Sequence, residues 1–487
     1  MKIFGVFMTV LLLFSVSASV IFSQRAVLNE AVDKSFAGAG IPQYDWPMFH
    51  HDLRRTGFST STAPDTNATL WTYTTGSDVD SSPAVADGKV FVASFDNKIW
   101  CLNATTGDHL WNYTTGGGTY SSPAVADGRV FIGSMDSKVH CINATTGASI
   151  WNSTLGGMVG LCSPAIAEGR VFIGATYDNK FYCLNATDGS PIWNFTAAAV
   201  GIDSSPAVVD GVVFVGSYDC RVYALNATDG AQIWNYTTGG WVHSSPAVVD
   251  GRVFVGSNDN YIYCLNATNG NWLWSFPTGH DVDSSPAVAD GRVFVGSEDS
   301  KVYCLNATNG NWLWDYTTGY GIMFSSPAVA DGKVFIGSWD RKVHCLNETN
   351  GALIWSYLTG GVICSSPAVA YGMLFVGSRD YKVYAFGVHD VAVTNVAPFK
   401  GIVGLGYPTR INVTVENQGD FTETFDVTAY YFAMPPMTPI ETKTITLTSG
   451  SSTILTFRWN TTSAGKGNFT IAAEASPVLG ETDTLDN

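Results

Sequence analysis

The chain has 487 residues, a formal charge of −16 from 25 Lys and Arg against 41 Asp and Glu, and a pI near 4.7. Its sparse basic residues are spread along the chain, which excludes the clustered basic face that nucleic acid needs. A hydrophobic content of 46% provides a large core, and the acidic balance suits a surface soluble outside a cell.

Residues 1–23 carry a basic residue at Lys2 and then a mostly apolar run, with Ser17-Ala18-Ser19 offering small residues for cleavage. The stretch reads as a signal peptide, or as a signal anchor if it stays attached. Residues 24–44 read as a linker.

From Trp71 to Gly387 one unit recurs. Its Ser-Pro pair falls at Pro83, Pro123, Pro164, Pro206, Pro246, Pro286, Pro327 and Pro367, a step of 40 to 42 residues. Such a period marks stacked supersecondary units, because one unit cannot bury its own apolar face. Within the unit two short apolar runs flank Asp-Gly, a pair suited to positive φ at both centres of a tight hairpin turn. Glu168-Gly169 and Tyr371-Gly372 are the variants. The next turn always holds an Asp: Asp96, Asp136, Asp178, Asp219, Asp259, Asp299, Asp340 and Asp380. Eight copies point to a turn-shaping role. A third run ends in Asn-x-Thr-x-Gly and a fourth carries a tryptophan, so the unit is four short antiparallel strands.

The fourth-strand tryptophans are Trp71, Trp111, Trp151, Trp193, Trp234, Trp274, Trp314 and Trp355. The first precedes every Ser-Pro pair, and the last unit stops after three strands. The strand around Trp71 is therefore expected to complete the last blade and latch a ring. The middle strands are apolar almost throughout and need cover on both faces, which radially packed blades supply. The expected fold is all-β: an eight-bladed β-propeller of four-stranded blades closed by the N-terminal strand, over residues 45–387, then an immunoglobulin-like β-sandwich over 388–487.

The Thr-Gly-three-residues-Trp pattern, as in Thr106-Gly107-Asp108-His109-Leu110-Trp111, resembles the PQQ-like, quinoprotein-dehydrogenase-type β-propeller repeats. So does the lead-in Trp46-Pro47-Met48-Phe49-His50-His51-Asp52 with Arg55-Thr56-Gly57. One departure is systematic: Asn103, Asn143, Asn185, Asn226, Asn266, Asn306 and Asn347 stand where that family commonly has Asp, and Asn serves a turn as well. No cysteine lies near the end of the leader, which sets the chain apart from the lipidated outer-membrane assembly propeller of bacteria.

After Gly387 the period ends and short alternating strands begin at His389-Asp390-Val391, a sandwich pattern. Val413-Thr414-Val415-Glu416-Asn417-Gln418-Gly419 and Glu481-Thr482-Asp483 resemble landmarks of the cell-adhesion-related CARDB module. Such modules usually continue for one more strand, so a truncated sandwich with a missing C-terminal anchor is one expectation.

Six of the nine cysteines, Cys101, Cys141, Cys183, Cys264, Cys304 and Cys345, share one repeat slot, with Ala224 and Ala385 in the others. Equivalent slots on different blades are too far apart for a disulfide, so these read as small buried apolar residues. Cys162, Cys220 and Cys364 form no evident pair. The N-x-Ser/Thr sequons at Asn67, Asn103, Asn112, Asn143, Asn152, Asn185, Asn194, Asn226, Asn235, Asn266, Asn306, Asn347, Asn412, Asn460 and Asn468 are glycosylation candidates in an exported chain, although duplication alone copies a turn sequence many times. An acidic, sequon-rich propeller with a CARDB-like module resembles archaeal cell-surface proteins.

Propeller ligands meet where inter-blade loops converge on the axis. The residue just before each Ser-Ser-Pro or Cys-Ser-Pro segment varies: Asp80, Tyr120, Leu161, Asp203, His243, Asp283, Phe324 and Cys364. Asp203, His243 and Asp283, from three successive blades, are candidate ligands for a cation such as calcium or for a polar ligand, with Asp78, His280 and Asp281 nearby. The competing reading is a solvated, variable loop rim.

The resemblance implies PQQ- and calcium-dependent oxidation of alcohols or sugars as one alternative. Against it, the chain has no adjacent Cys-Cys pair, no C-x-x-C-H haem motif and no long loops to build a pocket, and a fold does not transfer function. No catalytic residue and no cofactor are expected. The expectation is a non-enzymatic secreted or cell-surface scaffold for protein or glycan partners, with Trp241, Trp272, Trp312 and Trp339 as a contact patch. A passive glycosylated envelope component is the other alternative, and membrane contact is expected only through the N-terminal anchor or a segment beyond Asn487.

Overall fold

The computed structural model describes residues 45–478, apart from 199–200, 401–402, 404–405, 433–436 and 465–466, together with 481. The expected signal segment (1–23) and linker (24–44), and Thr482-Asp483 of the sandwich landmark, lie outside the described residues.

Each repeat forms a four-stranded antiparallel sheet. In blade one the strands are Ala84–Ala86, Lys89–Ser94, Lys98–Asn103 and His109–Thr114, from the axis outward. The first turn has the backbone its sequence demands, with Asp87 at φ 50° and Gly88 at φ 69°, and the same pair is left-handed in all eight blades. The second turn is shaped by its Asp. Asp96 Oδ1 accepts from Lys98 N, and its Oδ2 accepts from Gly76 N across to the preceding outer strand. The Asn before each sequon turn accepts from the next amides, as Asn103 Oδ1 does from Thr105 N and Thr106 N.

The ring closes as its offset repeat requires. Thr69–Thr74 pairs antiparallel with Lys382–Phe386 as the outer strand of blade eight, Trp71 opposite Ala385. Two inter-blade devices recur around it. Each outer-strand tryptophan donates its indole N–H to the next blade, Trp274 to Ala307 O at 3.2 Å for example, and lies flat on the glycine of that blade's Asn-x-Thr-x-Gly turn. A Cβ on Gly310 would sit 2.6 Å from the Trp274 ring, so only glycine fits. Trp355, whose next blade is interrupted by the chain crossing, donates to Pro64 O instead.

The second device explains the paired serines. The amide of the second serine in each blade donates to the hydroxyl of its counterpart in the next blade, from Ser82 N to Ser122 Oγ at 3.0 Å and on around to Ser366 N to Ser82 Oγ at 2.9 Å. This is a closed belt of hydrogen bonds about the axis. The first serine, or Cys162 in its place, accepts from a second-strand amide of its own blade.

Beyond the ring, Val391–Pro398, Pro408–Asn417 and Ser452–Asn460 form one three-stranded sheet, and Thr438–Leu447, Glu423–Phe432 and Thr470–Ala475 a second. They share a core of Val391, Ile411, Val413, Phe425, Val427, Phe457 and Trp459. The module docks on blade eight through Phe421, which packs against that blade's core beside Gly372 and Gly387, while within the module Asp420 accepts from Val388 N at 2.8 Å and Phe421 stacks on His389 with centroids 4.1 Å apart. Among the described residues no helix is long and apolar enough to cross a membrane.

All nine cysteines are free. The six repeat-slot thiols are buried, and burial raises them, to about 12 for Cys101 and Cys264, as expected of packing residues.

Candidate functional site

The two ends of the ring differ. Toward the Asp-Gly turns, the lead-in Trp46–Ser59 occupies the axis as a plug. It takes hydrogen bonds from the middle residue of one inner strand after another: Val85 N to Trp46 O, Val125 N to Pro47 O, Val208 N to Leu53 O, Val248 N to Arg54 O, Val288 N to Thr56 O and Val329 N to Gly57 O. Phe58–Ser59 then adds to blade seven as a parallel strand. Arg55 is fully buried, and its guanidinium donates to Phe49 O at 2.5 Å, Pro164 O at 3.0 Å and Pro206 O at 2.9 Å. Burial lowers it to about 10, still far above neutrality. His50, also buried, is pushed down to about 3 by desolvation and is neutral in the fold. The sequence reading took this stretch as a lead-in and missed its role, which depends on strands as distant in the chain as Val329 is from Gly57.

The other end is the rim, where the residues before Ser-Ser-Pro gather. The variable residue of each second turn is tied beside them, as Glu298 N is to Asp281 O at 3.0 Å. The turn residue of one blade then faces the rim residue of the next. Phe95 packs edge-on to Tyr120 and Tyr218 to His243, each with centroids 4.3 Å apart. Arg379 grips Asp80 at 3.0 Å through both Nε and a terminal nitrogen. Thr176 donates to Asp203 at 2.5 Å. Asn258 faces Asp283. Among these turn residues only Trp339 was singled out from sequence. The missed signal is the one variable position in a Gly-Ser-x-Asp turn that all blades keep except one and three, which read Ala93-Ser94-Phe95-Asp96 and Gly174-Ala175-Thr176-Tyr177-Asp178.

The expected ligands Asp203, His243 and Asp283 gather around Tyr218, with His243 close enough to Asp283 to lower its carboxyl against the effect of burial, but they are not among the residues whose ligand atoms all lie within 4.8 Å of one another. Asp203 is held by Thr176, and His243 lies against Tyr218 and Trp241. Among the described residues, the group whose ligand atoms all lie within 4.8 Å of one another is His280, Asp281 and Glu298. His280 Nδ1 stands 3.1 Å from Glu298 Oε2 and 3.8 Å from Asp281 Oδ1. Burial raises the carboxyls of Asp283 and Glu298, and Glu298 is raised further by the charges of Asp283 and Asp281. Asp78 lies in the loop of the Asp80–Arg379 junction, its carbonyl accepting from Phe95 N. A cleft of about 270 Å³ beside His280 and Glu298 is lined by Ser300, Tyr320, Met323 and Trp339.

The four tryptophans expected as one patch divide. Trp241 and Trp339 belong to the rim, whereas Trp272 and Trp312, each 54% exposed, begin outer strands on the circumference. The rim's exposed apolar residues are Trp241 with Leu161, Tyr177, Tyr320 and Phe324. The sequons also divide. Asn112, Asn152, Asn194 and Asn235 are exposed on the outer strands of blades one to four, while the turn asparagines Asn103, Asn143, Asn185, Asn226, Asn266, Asn306 and Asn347 are half-buried with Oδ1 engaged. Asn67, Asn460 and Asn468 are exposed and Asn412 half-buried.

Pyrroloquinoline quinone is a polycarboxylate. The rim offers it Asp203, Asp281, Asp283 and Glu298, and Arg379 is already engaged by Asp80. These residues do not fit that cofactor.

A family model described as "Outer membrane protein assembly factor BamB" matches residues 55–121 and 114–202, and one described as "Beta-alanine-activating enzyme, beta-propeller" matches 176–400. No curated protein matches the chain. Among solved structures, BamB from Moraxella catarrhalis is 19% identical with a TM-score of 0.58, covering 65% of this chain and 98% of its own. A europium-containing methanol dehydrogenase is 12% identical (TM-score 0.60; 78% and 91% covered), and the quinohemoprotein alcohol dehydrogenase of Comamonas testosteroni is 14% identical (TM-score 0.61; 75% and 83%). At such identities the likeness is one of fold. Residues 45–387 therefore form a β-propeller closed at eight blades, whose repeats are similar to those of the BamB assembly factor model and of the β-alanine-activating enzyme propeller model.

Proposed function

We propose that the chain is a non-enzymatic scaffold of the cell exterior whose rim docks a protein or glycan partner, with the CARDB-like sandwich as an adhesion-type companion. The observation that carries this reading is the asymmetry of the ring. One end is filled by the chain's own Trp46–Ser59, while the other displays exposed Trp241, Tyr320 and Phe324 beside carboxylates. Aromatic faces beside acceptor oxygens suit sugar rings with their hydroxyls, which favours a glycan. The likeness to an outer membrane assembly factor supports an envelope setting.

The test is binding of the purified chain to an array of surface glycans, beside a Trp241→Ala/Tyr320→Ala variant. Binding that the variant loses supports the proposal. Array binding that survives the variant, or a thermal shift that requires pyrroloquinoline quinone with calcium, overturns it.

A further inference from the structure

Three rim aspartates occupy the same repeat position, and each meets the turn residue of the preceding blade. Asp80 meets a cation, Arg379. Asp203 meets a hydroxyl donor, Thr176. Asp283 meets Asn258, whose amide nitrogen is turned to Asp281 Oδ2 at 3.2 Å, leaving both Asn258 Oδ1 and Asp283 Oδ1 buried without a donor. Asp283 is 8% exposed. The turn residue of its own blade is another acid, Glu298, and among the described residues no lysine or arginine pairs with Asp281, Asp283 or Glu298.

We propose that His280, Asp281 and Glu298, with the buried acceptors Asp283 and Asn258 Oδ1 behind them, hold a hard divalent cation at the junction of blades five and six. Ligands of one ion cannot lie further apart than twice the metal–oxygen distance, about 4.8 Å for a bond of about 2.4 Å. The ligand atoms of His280, Asp281 and Glu298 meet that limit. Buried acceptors without donors are costly, and buried like charges more so. A cation removes both costs at once, as Arg379 does for Asp80. Carboxylate and amide oxygens select Ca²⁺, Mg²⁺ or Mn²⁺ over softer ions. His280, 58% exposed, leaves the outer coordination positions open to water or to a ligand oxygen. The ligands differ from those expected from sequence: His280, Asp281 and Glu298 take the place of Asp203 and His243, and Asp283 stands behind them as a buried acceptor.

The experiment is thermal unfolding and calorimetric titration of chelator-treated protein with CaCl₂, MgCl₂ and MnCl₂. One ion bound per chain, with a rise of several degrees in Tm, is expected. An Asp281→Asn/Asp283→Asn variant should lose the response. Asn258→Arg, which copies the arginine of the Asp80 junction, should raise the Tm of the metal-free protein and also abolish the response, so a variant that folds better reads out the same site. No response of the wild type to millimolar amounts of any of the three ions, or a response that persists in both variants, overturns the proposal.

Discussion

Blade six contains two glycines with the same backbone and different surroundings. Gly291, in the Asp-Gly turn, and Gly310, in the sequon turn, both have φ +72°, but a Cβ on Gly291 would meet nothing within 4 Å while one on Gly310 would lie 2.6 Å from Trp274. Gly291→Ala should therefore cost only the left-handed backbone term, about 1–2 kcal/mol. Gly310→Ala adds an overlap with a tryptophan fixed by Ala307 O and by Phe254, whose ring centroid lies 5.9 Å from its own. Overpacking of this kind adds about 1–3 kcal/mol. Urea denaturation followed by tryptophan fluorescence compares the two variants at equal m-value. The larger loss should fall on Gly310→Ala, and combination with Trp274→Ala should bring the two glycine variants together. Equal losses in the wild-type background would refute the claim that tryptophan-on-glycine contacts latch the blades.

Two further outcomes test the plug. Arg55→Met should destabilise the ring by about 2–4 kcal/mol, because the carbonyls of Phe49, Pro164 and Pro206 lose their donors, each worth about 1–3 kcal/mol, against relief of a buried charge; denaturant midpoints and protease sensitivity of the lead-in check this. His50 is neutral in the fold with its pKa near 3, whereas the unfolded chain takes up that proton below about 6.5. Its contribution is thus complete above about pH 6.5 and lost as pH falls toward 3. Arg55 and Asp52 are the charges that face it, the first lowering and the second raising its affinity for the proton. Between pH 7 and pH 5 the wild type should lose about 2 kcal/mol more than His50→Asn, which tolerates the left-handed φ of 54° at that position. Parallel pH profiles would refute burial of a neutral His50.

Local chemistry determined most of the ring. The Asp-Gly turns, the aspartates that shape the next turns and the alternation of strands are written within a few residues of one another, and the step of 40 to 42 residues repeats them eight times. The closing strand was legible too, because an unmatched tryptophan strand at Trp71 and a last unit one strand short have one mutual solution. The tertiary structure decided what depends on residues brought together from different blades. The paired serines show a purpose only when Ser366 reaches Ser82. The plug needs inner strands from Val85 round to Val329 at once, and the four tryptophans separate into rim and circumference because a turn and the start of an outer strand face different sides of the ring. The site shows the same division: Asp283 was visible as a varying residue, but its partners Asn258 and Glu298 sit in turns of two blades, and only the pairing of each turn with the next blade's rim reveals that this aspartate, unlike Asp80, is gripped by no arginine or lysine.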